Sequence, residues 1–333
     1  MSNSFGAYLS ELAESIGRSW NRFWFTPADP LPCCVLRIGV GLLLVAHFAC
    51  LGIDLERWYG RNGLLSPAAV TTLLTASGEE ANYRFSYLGQ LAGPGELWGV
   101  HACAIAAAIM FTFGLNTRIS GVLTLIALLA YVHRVPQVAG HVEPVLAFSL
   151  AYLTLAPSGA CLSLDSVRRR RKRAAGVSDD SRQPVLLANI GLRLLQVHLA
   201  MFYAMMAFSK LYGDAWWDGA AVWMLLAQTQ SRPLNLTSLR NAGQFGEYII
   251  NIWTQGILYF ELTFPILIWN RLARPLLVAL GVIVWASLIL ATGELLFGLT
   301  MMLANLAFMP PEFFERIAVP RGAASLPAPA MAR

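Results

Sequence analysis

The stretch LANIGLRLLQVHLAMFYAMMAFSK, residues 187–210, runs for 24 residues with no acidic side chain and only two from lysine or arginine, Arg193 and Lys210. A helix rising about 1.5 Å per residue needs roughly 20 apolar residues to cross a hydrocarbon core of about 30 Å. The stretch meets that length. Arg193, Gln196, Ala200, Tyr203, Ala207 and Lys210 follow one another at steps of 3, 4, 3, 4 and 3, which places them on a single helical face. Leu195, Leu199, Phe202 and Met206 fall elsewhere on the helix, where lipid or packing suits them. The polar stripe is therefore expected to face a protein interior.

Further apolar segments lie on either side of this one, at about 33–53, 97–114, 118–134, 142–157, 249–269, 275–293 and 295–311. Composition agrees with them. Of 333 residues, 56% are hydrophobic and 13% charged, and the mean hydropathy is +0.55, an apolar excess that needs lipid as its solvent. The expected fold class is all-α: a polytopic helical membrane bundle of about eight transmembrane helices plus an N-terminal interfacial helix. Residues 4–25 supply the latter, with Phe5, Tyr8, Leu9, Leu12, Ile16, Trp20 and Phe23 at helical spacing and Arg18 and Arg22 opposite. The chain thus divides into an amphipathic segment 1–30, a transmembrane domain 31–315 with a basic loop at 162–186, and a short polar tail 316–333. A polar loop with Trp58, Tyr59 and a helix-like stretch after Pro67 separates the first two spans. The loop 213–248, with an aromatic amphipathic piece from Trp216 to Leu226, separates the fifth and sixth. Loops of this kind often dip back over a cavity.

Charge sets the expected orientation. The run Arg168 to Arg173 dominates a net charge of +5 and reads as a membrane-side anchor, not a nucleic-acid patch. With the N-terminus inside and eight spans, 15 basic residues fall inside and 7 outside, with Arg37 and Arg193 within spans near their inner ends. Both termini are then cytoplasmic. No secretory signal peptide is evident, so insertion is expected to rely on the first span. Cys33, Cys34, Cys50, Cys103 and Cys161 form no metal-ligand spacing, and neither a disulfide framework nor a zinc site is expected.

An ionisable side chain at bilayer depth costs about 2.5 to 3.5 kcal/mol and needs a partner or a wet cavity. Lys210 is one of only two lysines in an arginine-rich chain. A lysine in an apolar mouth can serve as a neutral amine base, which an arginine cannot; a snorkelling helix-end lysine is the structural alternative. Glu261 lies mid-way along the sixth segment, with Pro265 four residues later. It reads either as a proton-handling group or as the structural partner of Arg37 or Arg193. Gln196 and Tyr203 read either as site residues or as a packed polar seam. His141 stands just outside the fourth segment, on the same expected side as Lys210, while Glu143 before Pro144 fits an ordinary helix N-terminus. His47, His101 and His198 read as satisfied interior groups.

Several of these residues carry a family resemblance. GHVEPVLAF (140–148), SLD (163–165), LRLLQ (192–196), Lys210-Leu211 with Trp216, Asp218 and Gly219, ELT (261–263), Arg274-Pro275 and GELLF (293–297) occur in this order, after WFTP (24–27) and LRIG (36–39). Over about residues 20–315 the chain resembles the HTTM (horizontally transferred transmembrane) domain, which is shared with vitamin K-dependent gamma-glutamyl carboxylase. The resemblance implies that Lys210 is the base that deprotonates a quinone in its hydroquinone form and that His141 assists. Arg193, Gln196, Tyr203, Trp216 and Glu261 are then expected to line the cofactor site. The interval from Lys210 to Trp216 is one residue longer than in the carboxylase, and the chain's end soon after its last span leads us to expect no large extramembrane substrate-binding region.

The first functional expectation is a bacterial inner-membrane protein, carboxylase-like in fold, with an outward-facing cavity for a lipid-soluble quinone or lipid and carboxylase-like or redox modification chemistry. The alternative is a non-enzymatic membrane factor that matures or exports a small peptide or protein partner. No internal repeat supports a transporter. Membrane lipids are expected partners in either case, nucleic acid in neither.

Overall fold

Apart from one isolated backbone bridge, the regular structure among the described residues is helical. The computed structural model describes residues 2–78, 84–91, 93–172, 183–228 and 233–318. Arg173, Arg182, Arg232, Arg321 and Arg333, all part of the charge count above, lie outside them, as do most of the polar tail and the side chain of Phe5.

The chain opens with α1 (Ser2–Phe25), α2 (Leu31–Ile53), and the short α3 (Leu55–Tyr59) and α4 (Pro67–Ala76). It continues through α5 (Pro94–Phe113), α6 (Thr117–Arg134), α7 (Val142–Leu155) and the basic α8 (Leu164–Lys172). Then come α9 (Leu186–Leu211), α10 (Asp214–Trp217), α11 (Ala221–Ala227), α12 (Gln244–Leu267), α13 (Ala273–Thr292), α14 (Leu295–Asn305) and α15 (Pro311–Ala318). Each of the eight apolar segments is helical. Four helices, α2, α5, α9 and α13, are long and apolar enough to cross a membrane. The all-helical class and an architecture compatible with an integral membrane protein therefore stand.

Local chemistry explains the boundaries. Pro94 opens α5, where its missing N–H costs nothing, and Gly114 closes it in the left-handed region at φ 67°. A side chain at Gly114 would also run into the Arg37 guanidinium. α6 starts on a borrowed cap: Asp165, from α8, accepts the N–H groups of Asn116 and Thr117, each at 2.9 Å, and the Thr117 hydroxyl at 2.9 Å. Burial alone would raise the Asp165 carboxyl, but these donors and the nearby Arg169 hold it below its ordinary value.

α2 is the central helix, packing on α5, α7, α14 and α15, while α9 packs on α12, α7 and α1. The stripe on α9 faces inward as its spacing predicts: Gln196, Ala200, Tyr203 and Ala207 are buried, whereas Met201, Met205 and Phe208 are exposed. Leu195 and Leu199 are buried as well, so their role is packing.

The ends of α2, α5, α6, α7 and α9 meet in one polar knot. Arg37, 0% exposed, donates to the carbonyl of Ser158 at 2.9 Å and to that of Leu162 at 2.5 Å. Ala28 and Val185 exchange backbone hydrogen bonds at 3.3 and 3.0 Å. Beside Arg37 the Cys34 and Cys161 sulfurs lie 3.0 Å apart, both thiols buried. Mild oxidation with copper phenanthroline is expected to link them within one chain, seen as a single disulfide-bearing peptide pair by mass spectrometry. Cys50 and Cys103, both exposed, should be alkylated instead, and the link should vanish in Cys34→Ser.

Candidate functional site

Glu261 reaches across to Lys210. The Lys210 amine donates to both carboxylate oxygens, at 2.9 and 2.6 Å, and lies 5.1 Å from the centroid of the Trp216 ring. The structure thus replaces the expected alternatives of Arg37 or Arg193 as the partner of Glu261. Both terminal nitrogens of Arg37 donate to backbone carbonyls instead, and Arg193 lies farther along α9. The carboxylate side chain is 1% exposed and the lysine 15%, so the pair is approached from the lysine's side, past Trp216.

Two elements hold this geometry. The antiparallel register of α9 and α12 is fixed by Tyr203, whose ring packs on Phe264 at 4.1 Å and edge-on to Phe260 at 5.5 Å, the two residues that bracket Glu261. The loop carrying Trp216 is tied down on α12. Gln255 donates to the Trp216 carbonyl at 2.9 Å, Thr254 accepts the Val222 N–H at 3.2 Å, and Gly219, at φ 71°, sits so close to Asn251 that no side chain would fit. The first turns of α12 therefore serve the loop, and Glu261 lies about 25 Å along the helix from Gln244.

Beneath the pair lies a second buried network. The Tyr203 hydroxyl donates to Asn305 Oδ1 at 3.1 Å and accepts from Trp285 Nε1 at 2.7 Å, with Asn305 Nδ2 at 3.0 Å. Asn305 and Trp285 were not singled out in the sequence. The signal for Asn305 was an amide inside the apolar run MMLANLAF, which must find partners wherever it is buried.

Arg193 and Gln196 form a separate group farther along α9. Arg193 donates to Gln196 Oε1 at 2.9 Å and stacks over the Phe23 ring at 4.4 Å, while Gln196 donates to the Ala307 carbonyl at 2.7 Å. They join α9 to α1 and to the end of α14, which is the seam reading of their stripe. His141 is exposed at the start of α7, its ring 5.6 Å from that of Phe297. Among the described residues no hydrogen bond or ion pair joins it to Lys210. The structure thus brings together Lys210, Glu261 and Trp216, with Tyr203 below them, and leaves Arg193 and Gln196 in a separate group; ring contacts through Phe297 and Trp285 link His141 to the Tyr203 hydroxyl.

Of the interior histidines, His101 meets the Tyr131 hydroxyl at 2.8 Å and His198 that of Tyr152 at 2.9 Å. His47 differs. Its Nε2 lies 3.7 Å from Glu143, whose other oxygen accepts the Gly140 N–H at 2.8 Å. Glu143 is therefore both a helix-start acceptor and the neighbour of a buried imidazole.

Chemically, an ammonium and a carboxylate held this close form a proton-sharing unit. The carboxylate can take a proton from a weak acid, and the ammonium can then hold the resulting anion. A depression of about 560 Å³ opens beside the same loop, lined by Asp218, Trp223, Arg240, Glu247 and Tyr248 among others, with neither Lys210 nor Glu261 in its wall. No metal-ligating group of three or more His, Cys, Asp or Glu occurs among the described residues. No family model matches the chain, and no curated protein or solved structure matches it either.

Proposed function

We propose that the chain is an eight-span bacterial inner-membrane protein of the HTTM kind, with cytoplasmic termini, whose Lys210–Glu261 pair handles the phenolic proton of a lipid-soluble hydroquinone. The observation that carries this reading is the pair itself: a carboxylate at 1% exposure held by a lysine that remains open on one side. Structural ion pairs need no open side. Exposed Tyr8, Leu9, Leu12, Ile16 and Trp20 on α1 favour its lying in the membrane interface, tethered by Arg193 over Phe23 and by Asn189, which donates to the carbonyls of Phe23 and Trp24. The shorter α7 and α14, and α6 and α12, complete the count of eight spans in this reading.

Titration of purified protein with a naphthohydroquinone analogue tests the chemistry, following tryptophan quenching for binding and the quinolate absorbance for proton loss. Saturable binding with ionisation is expected for the wild type. Glu261→Gln and Lys210→Arg should each bind without ionising, the first lacking an acceptor and the second lacking the compact amine that the carboxylate grips. Ionisation by both variants equal to that of the wild type would exclude the pair as the base.

The depression beside Trp223 favours a second reading. Its aromatic and oppositely charged walls suit a short peptide, as a maturation or export factor would require. A peptide copurifying with the wild type, and lost in Arg240→Glu, would favour this reading over the first.

A further inference from the structure

The basic helix α8 separates two grooves at the end of the bundle where Arg37 ties the loops together. One, of about 650 Å³, runs between the start of α6 and α8, and Arg118, Arg169 and Arg170 line it. Among its described lining residues the one carboxylate is Asp165, which accepts from the start of α6 and lies near Arg169. Arg169 is held in place, donating to the carbonyls of Gly159 at 2.7 Å and Ala160 at 3.1 Å. Among the described lining residues three guanidinium groups outnumber one carboxylate, and one of the three is preorganised.

The other groove, of about 830 Å³, is apolar, walled by Leu31, Ile38, Leu42, Phe113, Leu162 and Val167. The two share Ser166 and Arg170. Their rims expose Ile119, Leu162, Leu164 and Val167. A soluble anion would use the first groove and have no need of the second. An amphiphile with an anionic head and an acyl chain uses both, with Arg170 at the junction.

We infer that this end of the bundle binds an acidic phospholipid, its phosphate on Arg118, Arg169 and Arg170 and an acyl chain in the Leu42–Phe113 groove. The inference rests on the membrane reading proposed above. An arginine near an anionic membrane surface is worth about fivefold in affinity, so two should matter about twenty-five-fold.

The test is native mass spectrometry of the delipidated full chain in detergent, titrated with phosphatidylglycerol or phosphatidylcholine of equal chain length. Retention of phosphatidylglycerol well above phosphatidylcholine is expected. Arg118→Gln/Arg170→Gln, both exposed positions, should lose about twenty-five-fold of that retention, whereas Arg57→Gln/Arg61→Gln should lose none. Equal retention of the two lipids, or an unchanged Arg118/Arg170 double variant, overturns the site. Complete displacement of phosphatidylglycerol by millimolar inorganic phosphate also overturns it, by making the groove a soluble-anion site. A chain that stays monodisperse without detergent would instead defeat the membrane reading beneath it.

Discussion

Glu261→Leu is expected to destabilise the fold by about 3–5 kcal/mol, and Lys210→Met/Glu261→Leu to recover most of that loss. The asymmetry follows from burial. Glu261 is 1% exposed, and its removal leaves the Lys210 ammonium beside the Trp216 ring without its anion. Removing both charges exchanges a desolvated pair for apolar contacts. Unfolding in mixed micelles, followed by tryptophan fluorescence, gives the four stabilities needed for the cycle: wild type, Lys210→Met, Glu261→Leu and the double variant. If the double variant is as unstable as Glu261→Leu alone, the two residues are not partners and the arrangement at the head of α9 is wrong. Recovery of stability without hydroquinone ionisation would show that the pair is kept for chemistry, since an apolar replacement folds as well.

The same pair shows how far the sequence could be read. Lys210 and Glu261 each stood out alone, because a charge in an apolar run is costly wherever it falls. Their pairing, 51 positions apart, did not. It depends on the register of α9 against α12, which Tyr203 sets by packing between Phe260 and Phe264, and on α12 starting at Gln244, ahead of its apolar segment. The inward face of α9 was legible because a helical stripe is periodic. The fixation of Tyr203 by Asn305 was not, since nothing local announces a partner 102 positions away. His141 was singled out by its expected side of the membrane, which carries no information about lateral neighbours; its ring lies 5.6 Å from that of Phe297.

Arg37→Met is expected to cost about 3–5 kcal/mol and to suppress the Cys34–Cys161 cross-link. The guanidinium is fully buried and satisfies the carbonyls of Ser158 and Leu162, two points of the turn that follows α7. A methionine fills the volume and abandons both acceptors, each worth about 1–3 kcal/mol when left buried and unpaired. The turn is then free to drift from α2, carrying Cys161 away from Cys34. Arg37→Lys keeps the charge, but an ammonium lacks the planar fork that spans two carbonyls four residues apart, so an intermediate loss is expected. Cross-linking yield and unfolding midpoint should fall together along the series wild type, Lys, Met. A full yield in Arg37→Met would mean that other contacts hold the turn. Asp165 is the main candidate, because its carboxylate fastens α8 to the start of α6 from the other side.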